Sequence, residues 1–143
     1  MNSLSVIFIV AKYPATYGHT SVINNLCRGL TNLGHKTAIG AFHFESEPPE
    51  NVEKVQLNKL ELLKSGVKSL DYDIIHPHQA QVLYYLLSKK PNKPIVFHYH
   101  AASNIIQELN LKFSMTIFKN KISKFISVSK KATPKEAVAK KQV

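Results

Sequence analysis

Sulfur, arginine and long apolar runs are all scarce in this 143-residue chain. Cys27 is the only cysteine, which excludes an intrachain disulfide; it falls among the apolar residues of a predicted helix and reads as a small buried residue of a protein kept in a reducing compartment. Arg28 is the only arginine beside eighteen lysines. A nucleic-acid reader more often uses arginine for bidentate contacts to bases and phosphates, so nucleic acid is disfavoured as a partner. The N-terminus has no basic leader, and the apolar run over residues 6–11 is too short for a signal core or a membrane span. The expected location is the cytoplasm. No Gly-x-Gly-x-x-Gly and no P-loop occur, which removes the usual dinucleotide and NTPase signatures, and there are no repeats or low-complexity tracts.

What the chain does have is a 44% hydrophobic composition, enough for a single core. Its segments alternate between strand-like and helix-like. Residues 4–10 form a continuous apolar run of the kind shown by a strand buried on both faces. Val22, Ile23, Leu26, Leu30 and Leu33 recur at helical spacing, with Thr20 or Ser21 as the expected cap and Gly34 as the stop. A second strand is expected over 37–44, a short third one over 52–57, and a helix broken at Gly66 over 60–70. Strands over 72–75, 95–99 and 125–128 then alternate with helices over 79–89 and about 103–119, and a last helix is expected from Thr133. Strands each followed by a helix imply an α/β fold: a doubly wound, Rossmann-like parallel sheet in three α/β/α layers.

Charge is uneven. Up to Ser88 seven basic residues balance seven acidic ones, whereas from Lys89 onward twelve lysines face only Glu108 and Glu136. The segment carrying Ile105, Ile106, Leu109, Phe113 and Ile117, widened by Leu111, Met115 and Phe118 and flanked by Lys112, Lys119, Lys121 and Lys124, is read first as a helix packing its apolar stripe on its own sheet. The second reading is a basic helix lying on an anionic membrane surface.

Chemistry-bearing residues cluster where predicted strands end. Gly18 lies just before a helix, whose free amides and positive end suit a phosphate, although taken alone the residue is better read as an ordinary turn glycine. Two His-x-His pairs, His76 with His78 and His98 with His100, occupy strand ends, and residues two apart on a strand share a face. Three readings stay open: a zinc site, disfavoured because no acidic or cysteine ligand accompanies the pairs and Pro77 interrupts the first; histidines without a role; or rings that hydrogen-bond a polar ligand in a cleft.

The ordered segments resemble the N-terminal domain of family-4 retaining glycosyltransferases of the GT-B fold. In that family a strand leads to a Pro-rich Gly-Gly loop, a helix and a Gly-His step; Tyr13, Pro14, Gly18, Gly34 and His35 stand in those places, with His19 where the second glycine would be. Asp73-Ile74-Ile75-His76-Pro77-His78 resembles the family's Asp-Val-Val-His-x-His strand end, Val96-Phe97-His98-Tyr99-His100 the strand whose last histidine faces the reacting sugar, and Ile126-Ser127-Val128-Ser129-Lys130 the Val-Ser step before the interdomain crossing.

The resemblance implies an enzyme of hexosyltransferase type that moves a sugar from a nucleotide-diphosphate sugar to an acceptor hydroxyl, with a lipid-linked or cell-envelope glycan as acceptor. His100 is then the catalytic candidate, Gly18 and His19 the donor-phosphate residues, and Thr20 and His78 the acceptor residues; no cofactor and no metal are called for. Residues 1–143 would form one acceptor-side domain, with the donor-binding domain following beyond it or supplied by a partner chain, and without that domain no activity is expected. Two alternatives stand beside this reading: a non-catalytic binding or regulatory subunit, and a basic module for nucleotides or nucleic acid.

Overall fold

The computed structural model describes residues 2–15, 18–100 and 104–127. Six strands are present among them: β1 (Ser5–Tyr13), β2 (Lys36–Phe44), β3 (Glu53–Gln56), β4 (Ile74–Pro77), β5 (Val96–Tyr99) and β6 (Lys124–Ser127). The helices are α1 (His19–Asn32), α2 (Lys59–Ser65), α3 (Ala80–Leu86) and α4 (Ile105–Phe118), with 3-10 turns after α2 and α4. All strand pairs are parallel, in the order β3-β2-β1-β4, and a bridge between Ile75 and Ile95 joins β4 to the β5-β6 pair. The full order is therefore 3-2-1-4-5-6. This is the doubly wound arrangement, with its switch point between β1 and β4.

Alternation along the buried strands sorts the core into two layers. Val6, Phe8 and Val10 pack with Ile23 and Cys27 of α1 on one face, while Ile7 and Ile9 pack with residues of α2, α3 and α4 on the other. Phe8, Ile7 and Ile9 are fully buried, each worth about 1.5–3 kcal/mol relative to exposure. β1 runs beyond the apolar stretch to Tyr13, just before Pro14, because Lys12 and Tyr13 keep pairing with His43 and Phe44 of β2.

Two family-like motifs turn out to fasten the scaffold. Gly34, at φ +87°, ends α1: its amide donates to the Thr31 carbonyl, the His35 amide donates to the Leu30 carbonyl, and His35 Nδ1 accepts from the Leu4 amide at 3.2 Å. Asp73 Oδ2 accepts from the Ser5 amide at 2.7 Å and the Ser5 hydroxyl at 2.9 Å, which fixes the register of β4 against β1 at the edge where the strands begin.

Two expectations are corrected. Neither Thr20 nor Ser21 caps α1; Gly18, in the left-handed region at φ +79°, is the N-cap, and the Thr20 hydroxyl instead holds the preceding loop through the Ala15 amide (2.7 Å) and carbonyl (2.9 Å). The stripe of α4 expected to pack on the sheet faces outward: Ile105, Ile106, Leu109, Phe113 and Ile117 are 47–79% exposed, and Leu111, Ser114, Met115 and Phe118 make the sheet contact. Both sides of this helix are apolar, so periodicity alone did not distinguish them. The expected Val128-Ser129-Lys130 step and the helix from Thr133 lie outside the described residues.

Candidate functional site

The parity of the strands builds the site. His76 and His78 at the end of β4, and His98 and His100 at the end of β5, share the face that Phe8 and Val10 present toward α1. Phe8 pairs with His76 in register, their rings 4.9 Å apart. His19 opens α1 and lies over the same place, its ring 3.9 Å from that of His100 and 6.3 Å from that of His78. Five of the chain's seven histidines thus converge at the C-terminal ends of β4 and β5, beside the switch point.

Local bonds hold the two His-x-His pairs in place. The His78 amide donates to the Ile9 carbonyl at 3.0 Å, so Pro77 sits in the ladder without displacing the residue after it. Gln79, at the N-cap of α3, uses its Oε1 to accept from the Ala11 amide at 2.8 Å, a strand amide that β4 does not reach. The His76 and His78 rings stack at 4.8 Å, and those of His98 and His100 at 4.7 Å. Between the pairs, His78 Nδ1 lies 3.4 Å from His100 Nε2.

The cluster is electrically neutral near pH 7. Burial pulls His19 down to about 4, with repulsion from His100 and His98 adding to it. Burial likewise takes His76 to about 3 and His98 to about 4, each helped by one histidine neighbour. His78 is held well below the usual imidazole range by burial and then by the other four rings, and burial lowers His100 as well. Neutral imidazole offers one N–H donor and one lone pair per ring, a set suited to hydroxyls, phosphate oxygens or a metal ion.

The candidate residues read from the sequence divide by accessibility. His100 is partly exposed and Gly18 exposed, whereas His19 is 7% and His78 only 1% accessible. Gly18, His19, His78 and His100 come together around the start of α1, whose first turn has no side-chain cap among the described residues. Thr20 lies in that turn with its hydroxyl already engaged by Ala15. An added Cβ at Gly18 would meet nothing within 4 Å, so its glycine requirement comes from the backbone angle.

His76 and His98 join the cluster although sequence reasoning gave them no individual role; the signal available was the even spacing of all four strand-end histidines. The Asp71-Tyr72-Asp73 triplet stands at the opposite end of β4. Among the described residues, the groups of three or more metal-ligating side chains are His19 with His78 and His100, and His76 with His78 and His98.

A parallel α/β domain with polar groups gathered at its switch point, beside a helix N-terminus with no side-chain cap among the described residues, belongs to the doubly wound class. The family model for Glycosyltransferase Family 4 matches residues 17–133, and the chain belongs to that family. A comparison with curated proteins returns no match.

Proposed function

We propose that this chain forms the acceptor-side half of a retaining glycosyltransferase, which moves a sugar from a nucleotide-diphosphate sugar to an acceptor hydroxyl once a donor-binding domain closes over it. Family membership carries the reaction class. The observation that ties it to particular residues is the approach of His100 to the start of α1, where its ring and that of His19 are 3.9 Å apart.

In this reading the amides after Gly18, at the positive end of a 14-residue helix, face the donor diphosphate as its bond to the sugar breaks. His19 lines that place. His100 hydrogen-bonds the donor sugar beside the reacting carbon, and His78, too buried for wide contact, acts on the acceptor side through its bond to His100. Thr20 shapes the acceptor wall by pinning the loop at Ala15. The five rings bring no fixed positive charge, so the counter-charge for the diphosphate beyond the helix end is assigned to the second domain.

A lipid-linked acceptor is favoured by α4, which exposes five large apolar side chains on one side, carries Lys112 and is followed directly by Lys119. Lys64, Lys68, Lys89 and Lys90 border a hollow at the C-terminal ends of α2 and α3 in the same helical layer, adding to the attraction for an anionic surface. Among the described residues no helix is long and apolar enough to cross a membrane. The proposed location is the cytoplasm, with α4 resting on the inner face of the cell membrane.

The test is sugar transfer by the chain joined to or co-expressed with a family-4 donor domain, using a panel of nucleotide-diphosphate sugars and assigning the anomeric configuration of the product by NMR. A product of the donor's own configuration supports the reading. Inverted product overturns the retaining assignment, and stable folding of both halves with no turnover on any donor moves the chain to a non-catalytic binding role.

A further inference from the structure

Four buried ring nitrogens, His19 Nδ1, His76 Nε2, His78 Nε2 and His98 Nδ1, have no hydrogen-bond partner among the described residues. A buried polar atom left unpaired costs the desolvation it suffered, and a chain rarely gathers several in one place unless something binds there. Three of the four belong to the one histidine triad among the described residues whose members are all buried, the other triad of His19, His78 and His100 including the partly exposed His100. His76, His78 and His98 are 7%, 1% and 7% exposed, and each can offer one ring nitrogen such that the three lie within 4.8 Å of one another.

We propose that His76, His78 and His98 together bind one divalent transition-metal ion of the zinc class, beneath His100. The donor set selects the metal: imidazole nitrogens suit zinc, copper, nickel or cobalt, while magnesium and calcium call for oxygen ligands, and neither of the candidate groups contains a carboxylate. Zn–N bonds of about 2.0–2.1 Å in a tetrahedral site put nitrogens about 3.3 Å apart, so the rings must close by rotation about χ2, a soft torsion for histidine.

The surroundings supply what such a site needs. A histidine that ligates through one nitrogen donates its other N–H to an acceptor, and His78 Nδ1 faces His100 Nε2 at 3.4 Å while its Nε2 is the unpaired atom. The sequence objection that Pro77 bends the first pair is removed by the bond from the His78 amide to Ile9, which keeps His76 and His78 on one face with their rings 19° from parallel. The ion would position His100 through His78 and takes no part in the glycosyl transfer, and the inference stands independently of that reaction.

The experiment is a titration of chelator-stripped, refolding-competent full chain with ZnCl2 by calorimetry, and with CoCl2 by visible absorption. The expected result is one ion per chain, with the visible bands of a four-coordinate cobalt site. His76→Gln and His98→Gln should each weaken zinc at least tenfold, whereas the His35→Gln/His43→Gln pair, removing the two histidines outside the cluster, leaves it unchanged. Should the core variants fail to fold, X-ray absorption of the zinc-loaded wild type decides instead, three imidazole nitrogens at about 2.0–2.1 Å being expected. No stoichiometric binding, binding lost with His35 and His43, or binding lost with His19→Gln but kept in both core variants, overturns the assignment.

Discussion

His78 Nδ1 and His100 Nε2 stand 3.4 Å apart, one ring at the end of β4 and the other just past β5. Two neutral imidazoles in this relation share a single proton at the contact, so the tautomer of the buried ring fixes that of the accessible one. His78 is 1% exposed and surrounded by the other four rings. The orientation of His100 is thus set from below, by a residue that a cleft ligand barely reaches, and the predictions that follow test the parts of the scaffold that hold this pair and its neighbours.

Gly18 takes φ +79° with open space where a Cβ would go. Gly18→Ala is expected to lower stability by about 1 kcal/mol, the cost of the left-handed conformation for an L residue, without a steric term. Denaturant unfolding measures it; a loss several times larger would mean that the loop moves as a whole.

Cys27 is fully buried, and burial pushes its thiol up to about 12 despite a hydrogen bond with Thr37. At pH 8 the native chain should not react with an aromatic disulfide reagent over minutes, and should release one equivalent of thiol in denaturant. Rapid labelling of the native protein would show that α1 lifts from β1 and β2.

Asp73 is held below the usual carboxylate range, first by the Ser5 amide and then by the Ser5 hydroxyl. A depressed folded-state value means that the unfolded chain takes up the proton first. The contribution is therefore full above about pH 4 and is lost as pH falls through the folded value. Asp73→Asn should destabilise the chain near pH 7 and converge with wild type as pH falls through the depressed folded value; a difference independent of pH would assign the effect to packing.

The exposed face of α4 gives a binding prediction. Leu109→Glu/Phe113→Glu changes side chains that are 60% and 61% exposed, so the melting temperature should hardly move. Sedimentation with vesicles rich in phosphatidylglycerol should fall at least tenfold in the variant, and wild-type binding should weaken as salt rises. Equal sedimentation of both proteins would leave α4 without a membrane role.

Much of the fold was legible because it depends on near neighbours in sequence. The apolar runs of β1 and β2, the stop at Gly34 and the break at Gly66 are local signals, and each has its element in the structure. The faces of α4 were not legible, since Ile105, Leu109 and Phe113 are as apolar as Leu111, Met115 and Phe118, and only the packing distinguishes them. Thr20 looked like a cap because the αL turn at Gly18 has no sequence signature beyond one glycine. For the site, the His-x-His spacing told that each pair shares a face. That both pairs share the same face, with His19 above them, depends on the β4-β5 register and on the side to which α1 crosses, and no local pattern encodes either.

The most direct measurement is steady-state sugar transfer by His100→Ala in the chain joined to a family-4 donor domain, beside a circular dichroism melt of the same variant. The account predicts an unchanged fold, kcat lower by about 100-fold or more and a smaller change in KM, as expected for a group whose interaction is made chiefly in the transition state. A folded variant with wild-type kcat would contradict the assignment of His100 to the reacting sugar and return the histidine cluster to a structural role.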